Sequence, residues 1–157
     1  MIKIFNYSIL VCLFSLAACS KTKKSAVQTE GQDVVVSQVI TDKKWRLIEL
    51  AGKAVADSVN GKVPFLLLQT SDGRYSASGG CNGLGGGFEI LSNGKIKFTQ
   101  GMSTMMACDS MWVETELNQA LVEADNYTLG ENTLSLNKAR MAPLARFKAV
   151  EASTEKH

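Results

Sequence analysis

A chain of 157 residues, 45% apolar and 20% charged with two prolines, suits one folded domain with one core and not a disordered segment. Its formal charge of +2 is too small for a nucleic-acid footprint. Lys21, Lys23 and Lys24 sit in an N-terminal tail with no arginine cluster, so nucleic acid is not an expected partner.

The N-terminus carries the clearest signal. Lys3 is followed by the apolar run Ile9–Phe14, too short to span a bilayer as a helix, and then by Leu16-Ala17-Ala18-Cys19. Two small residues before a cysteine are similar to a bacterial lipobox. Residues 1–18 are then a signal peptide, and Cys19 is acylated as the first residue of the mature chain. An ordinary cleaved signal peptide would not need the cysteine. Several acyl chains, at ~0.8 kcal/mol per buried CH₂, would anchor the chain to a membrane. Ser20 stands where an aspartate would resemble an inner-membrane retention signal, so the expected location is the outer membrane facing the periplasm. With Cys12 removed and Cys19 lipidated, Cys81 and Cys108 are left in a compartment that permits disulfides. A bridge between them would close a loop of ~28 residues and contribute roughly 3.5 kcal/mol on the chain-entropy model. A redox role is the alternative, because Cys108 lies near an expected helix start, although no C-x-x-C is present.

Residues 19–40 read as the lipidated cysteine and a polar tether, within which Val34-Val35-Val36 could begin a strand. The domain is expected over residues 41–150. Trp45–Leu50 has a strand-like mix. Pro64–Gln69 and Arg74–Ser78 flank the turn signal Ser71-Asp72-Gly73, and Phe88–Leu91 and Lys95–Phe98 flank Ser92-Asn93-Gly94, which gives two hairpins. Between Cys108 and Ala124, the residues Val113, Leu117, Ala120, Leu121 and Ala124 recur as one helical face, with Asp109, Glu114 and Glu116 near its start. Tyr127–Leu129, Thr133–Leu136 and Leu144–Lys148 supply the last strands, and residues 151–157 a disordered, charged tail. One helix among about eight short strands predicts an α+β fold, a strongly curved or barrel-like antiparallel sheet packed on that helix.

Residues 78–87 read SGGCNGLGGG. No Lys-Ser/Thr follows the glycines and no helix opens after them, so neither a phosphate loop nor a dinucleotide fingerprint is expected. Gly79, Gly80 and Gly87 are expected to supply positive φ and close approach in a turn between strands. Asn82 is expected to bond nearby backbone and to tolerate the left-handed region. Met102, Met105 and Met106 form the other unusual patch. A soft binding surface is one reading, and filling a core corner beside the disulfide is the preferred one. Catalysis is poorly served: the only histidine is His157, and Glu114 and Glu116 point to different helix faces. Zinc would need ligands from two cysteines and scattered carboxylates, so no metal, cofactor or catalytic residue is assigned.

Trp45-x-Leu47-x-x-Leu50-x-Gly52, Gly80-Cys81-Asn82 followed by Gly87, and Ser103-Thr104-Met105-Met106-Ala107-Cys108 together resemble the motifs of the META/HslJ domain family. Glu114 or Glu116 matches the acidic residue that follows them, and Leu134-x-Leu136 the late strand. The resemblance covers roughly residues 42–149. It implies a compact α+β domain with a barrel-like sheet, found in secreted or lipid-anchored envelope proteins, some linked to heat shock and novobiocin resistance. It implies no activity and no cofactor. The chain is therefore read as a non-enzymatic, lipid-anchored, stress-related envelope protein that binds a protein or envelope component through the open face of the sheet. The alternative is a carrier holding a small apolar ligand in a barrel mouth lined by Phe65, Leu67 and Met105.

Overall fold

The computed structural model describes residues 39–150. The expected signal peptide, Cys19, most of the tether with Val34–Val36, and the C-terminal tail lie outside them.

Ten elements follow in chain order: β1 (Lys44–Leu50), β2 (Lys53–Ala54), β3 (Phe65–Gln69), β4 (Arg74–Ser78), β5 (Gly83–Leu91), β6 (Lys95–Ser103), α1 (Trp112–Glu123), β7 (Asn126–Leu129), β8 (Thr133–Asn137) and β9 (Ala145–Ala149). Alternation of buried and outward residues sets the strands. Trp45 and Leu47 on β1, Leu66 and Leu68 on β3, Leu134 and Leu136 on β8 and Phe147 on β9 are fully buried, while their neighbours face out. Every pairing between strands is antiparallel, in the order β1-β3-β4-β5-β6-β7-β8-β9. β9 then returns to β1, from Trp45↔Ala149 to Leu50↔Ala145. Eight of the described strands thus close a barrel, with β2 as a short extra strand hairpinned onto the end of β1. Closure pairs what would otherwise be two open sheet edges.

The ring is thinnest between β6 and β7, which are joined at Lys95↔Asn126 alone. The chain between those two strands contains α1, the one helix among the described residues. The expected helical face is the buried one: Val113, Leu117, Ala120 and Leu121 join the same core as the barrel interior, and Ala124 follows at the helix end. Tyr75 meets Phe98 edge-on within that core, with ring centroids 5.4 Å apart, and burial pushes its phenol pKa up. On the surface, Asp42 accepts the hydroxyl and backbone N–H of Thr70, in that order of effect, which holds its carboxyl below the usual range.

Three expectations are corrected. Phe65 and Leu67 lie on the outward register of β3 because the side-chain period is two, and the interior belongs to Leu66 and Leu68, so the lining proposed for a ligand-filled mouth does not form. The sheet closes into a ring whose inner face is packed core, so the sheet face exposed to a partner is its outer one. The second half of the glycine run is strand and not turn. β5 begins at Gly83, and Gly87 sits within it opposite Arg74 and Thr99. At Gly86 glycine is needed because β6 passes very close, beside a register shift between Leu84 and Gly86. A Cβ on Gly86 would lie 2.1 Å from the Thr99 carbonyl oxygen.

Candidate functional site

Between β4 and β5 the chain makes a short loop, residues 79–82, wedged between two other segments. On one side is the turn Val59-Asn60-Gly61-Lys62, and on the other the irregular segment 104–111 that leads into α1. Gly80 takes φ 109°, and a Cβ on it would meet the Val59 carbonyl oxygen at 2.5 Å. Gly79 has no such backbone demand. Its role is close approach, because a Cβ there would lie 2.4 Å from the Glu114 Cα.

Asn82 is the centre of the arrangement and is 2% exposed. Its Nδ2 donates to Glu114 Oε1 at 2.8 Å and to the Met106 carbonyl at 3.0 Å. Its Oδ1 accepts from the Met106 N–H at 2.7 Å and from the Thr104 hydroxyl at 2.8 Å. An asparagine side chain has two amide hydrogens and two acceptor lone pairs, and all are used here. The amide orientation follows from its neighbours, since a flip would set NH₂ against the Met106 N–H. The Asn82 backbone N–H donates to Glu114 Oε2 at 2.5 Å, so both carboxyl oxygens of this 7%-exposed side chain accept. Thr104 Oγ1 in turn accepts from the Gly83 N–H at 3.1 Å. Asn82 is not in the left-handed region expected for it. Its bonds reach across more than twenty residues rather than to nearby backbone.

The disulfide joins Cys81 to Cys108, with Cα atoms 6.0 Å apart, and pins the same segment next to Asn82. Asn60 adds a further clamp: its Nδ2 donates to the Ser110 carbonyl at 2.7 Å and its Oδ1 accepts from the Ser110 N–H at 3.2 Å. Lys62 Nζ donates to the Cys81 carbonyl at 3.1 Å. These clamps explain why α1 begins at Trp112 rather than near Cys108. The backbone groups of Met106 and Ser110 are committed to Asn82 and Asn60, so they do not enter helical bonds. Cys108 is therefore four residues short of the helix, which removes the ground for a thiol activated by a helix terminus. Of the two glutamates considered, Glu114 is the one that reaches the loop. Glu116 faces a separate groove shared with Ala51, Lys53 and Trp112. Asn60 and Lys62 went unassigned in the sequence, although the Asn-Gly pair at 60–61 is a hairpin-turn signal.

Core packing of the methionines is overturned. Met102, Met105 and Met106 are 82%, 97% and 51% exposed. The backbone of Met106 is held by Asn82, and this fixes the segment as a shelf whose side chains project outward. An open cleft of about 430 Å³ lies along it, lined by Asn82, Thr104, Met105, Met106, Met111 and Glu114 among others. A second groove, also about 430 Å³, adjoins it across Thr104 and is lined by Arg74, Leu84 and Met102. Among the described residues, no group of three or more His, Cys, Asp or Glu side chains is placed to hold a metal ion.

The staple makes a stability prediction. Cys81→Ser, Cys108→Ser, or reduction of the wild type is expected to cost about 3 kcal/mol, read as a fall of several degrees in Tm by circular dichroism. An unchanged Tm in either variant would show that the bridge does not stabilise the fold.

The META domain family model matches residues 38–151. No curated protein matches the chain. Solved structures do. An NMR structure of a protein from Burkholderia xenovorans is 23% identical, with a TM-score of 0.58 over 85% of this chain and 99% of that one. A second NMR structure is 23% identical with a TM-score of 0.53, over 68% and 87%. The crystal structure of a DUF4847 family protein from Bacteroides vulgatus is 16% identical with a TM-score of 0.51, over 72% and 96%. At these identities the likeness concerns the fold alone.

Proposed function

The chain belongs to the META domain family, and from that premise we propose that it is a non-enzymatic binding module held at the cell envelope by a lipidated Cys19, with its binding surface on the methionine segment 102–111. The observation that carries this reading is the exposure of three methionines on a backbone that is itself immobilised. Exposed apolar side chains gathered in one patch mark interaction sites, and methionine adapts its shape to a partner at little cost. The rigid base means that little ordering is needed on binding. A non-enzymatic role is supported by the state of Asn82, Glu114 and Thr104, whose side chains are bonded to one another as a structural network. A place at the outer membrane facing the periplasm rests on Ser20 after the lipobox, and the stress-related role rests on the family likeness.

Photo-crosslinking in cells tests the reading, with a crosslinkable residue placed at position 105 of the full chain, or at exposed Glu131 in the turn between β7 and β8 as a control. One dominant envelope component captured from 105 and not from 131 is the expected result. Equal capture from both, or none from 105, would remove the methionine segment as the site. In the same cells, Cys19→Ala is expected to abolish palmitate labelling and to move the chain out of the membrane fraction.

A further inference from the structure

The chemistry of the cleft goes further, resting on the reading of the methionine segment as the binding surface. The polar side chains that line it are tied to one another and to backbone. The Asn82 amide is saturated, both Glu114 oxygens accept from Asn82, and the Thr104 hydroxyl both donates and accepts. The Met106 carbonyl is taken by Asn82. What the segment holds out into the cleft is sulfur: Met105 and Met106, exposed, and Met111, half-buried, line it together, and Met102 stands in the groove across Thr104.

A cluster of neutral thioethers, whose one carboxylate neighbour Glu114 is buried and bonded to Asn82, selects by softness. Ca²⁺ and Mg²⁺ need oxygen ligands, and Zn²⁺ takes thiolate, imidazole or carboxylate. Soft thioether sulfur selects Cu(I) among the biological metals. The two thiols that could compete within the described domain are tied up in the Cys81–Cys108 disulfide. We propose that Met105, Met106 and Met111, which line one cleft, bind one soft monovalent cation of the Cu(I) class. Binding transfers no electron and releases no proton, because a thioether ligates as it stands. Affinity is therefore flat with pH over the range in which imidazole and thiolate sites lose their metal.

The experiment uses the full chain purified from membranes with its disulfide intact. It is titrated with Ag⁺ in chloride-free buffer and read by native mass spectrometry, then with Cu(I) against a chromogenic Cu(I) chelator. One ion per chain is expected, with the same occupancy at about pH 5 and about pH 7. The triple variant Met105→Leu/Met106→Leu/Met111→Leu keeps the apolar volume and removes the sulfur. It is expected to keep the wild-type Tm and to lose the ion. No ion on the wild type, an ion kept by the leucine variant, or occupancy that falls sharply at the lower pH would each overturn the proposal. Capture of a partner from position 105 with no Ag⁺ bound overturns the ion site and leaves the docking surface standing. Ag⁺ bound without any capture upholds the ion site and removes the protein-docking reading instead.

Discussion

Asn82→Ala is expected to lower stability by about 4 kcal/mol and Tm by roughly 15 °C, the largest effect of any single side chain in the loop. The side chain makes four hydrogen bonds, two given and two received. Truncation removes them all and strands their partners: Glu114 Oε1, the Met106 N–H and carbonyl, and the Thr104 hydroxyl. A buried polar group left without a partner costs about 1–3 kcal/mol. Water reaching Met106 and Thr104 from the exposed shelf recovers part of that loss, which keeps the sum well below four full penalties. Asn82→Asp is a sharper probe. It keeps the shape and the acceptor, loses both amide hydrogens, and sets a second carboxyl against Glu114, so a loss at least as large is expected. Hydrogen exchange separates this local account from general destabilisation, since the Met106 amide should exchange faster under native conditions than the amides of β8. A Tm within two or so degrees of wild type would mean that the network is not what holds the shelf.

How much of this could be read beforehand depended on whether the signal was local. The helical face from Val113 to Ala124 and the strands β1, β4 and β8 were legible because each side chain reports its own burial through a fixed period, whereas the unbroken apolar run Phe65–Leu68 marked β3 as a strand and hid which face was inward. The disulfide followed from counting cysteines once Cys12 and Cys19 were set aside as belonging to the expected signal sequence and lipid anchor. The first half of β5 was not legible. Gly83, Gly85, Gly86 and Gly87 carry no side-chain alternation, and what makes them strand is pairing with β4 and β6 on either side, β6 passing closest at Gly86. The helix start was misplaced for a related reason. No glycine or proline interrupts the chain from Cys108 to Ala124, but the Asn60 and Asn82 side chains claim the backbone of Ser110 and Met106 from elsewhere in the chain. The methionines were assigned to the core on composition, and only the fixed backbone of Met106 shows why they project outward. At the site, therefore, the residue types were visible and their long-range partners were not.

Gly79→Ala is expected to destabilise the domain by about 3–4 kcal/mol, and Gly87→Ala to stay within about 1 kcal/mol of wild type. Both glycines belong to the same run and neither has positive φ, so intrinsic backbone preference does not separate them. Their surroundings do. At Gly79 an added methyl would lie 2.4 Å from the Cα, 2.5 Å from the N and 2.8 Å from the Cβ of Glu114. Those atoms belong to the first turn of α1, whose buried face is locked into the core through Val113 and Leu117, so the helix cannot back away without opening the core. Any displacement also lengthens the 2.5 Å bond from the Asn82 N–H to Glu114, so overpacking and loss of the network arrive together. At Gly87 the nearest atoms are the Gly73 carbonyl oxygen and the Thr99 Cβ, both at 3.9 Å, which is ordinary contact. Chemical denaturation of the two variants side by side is the measurement. If Gly79→Ala costs no more than Gly87→Ala, the helix start is not seated on the loop as described.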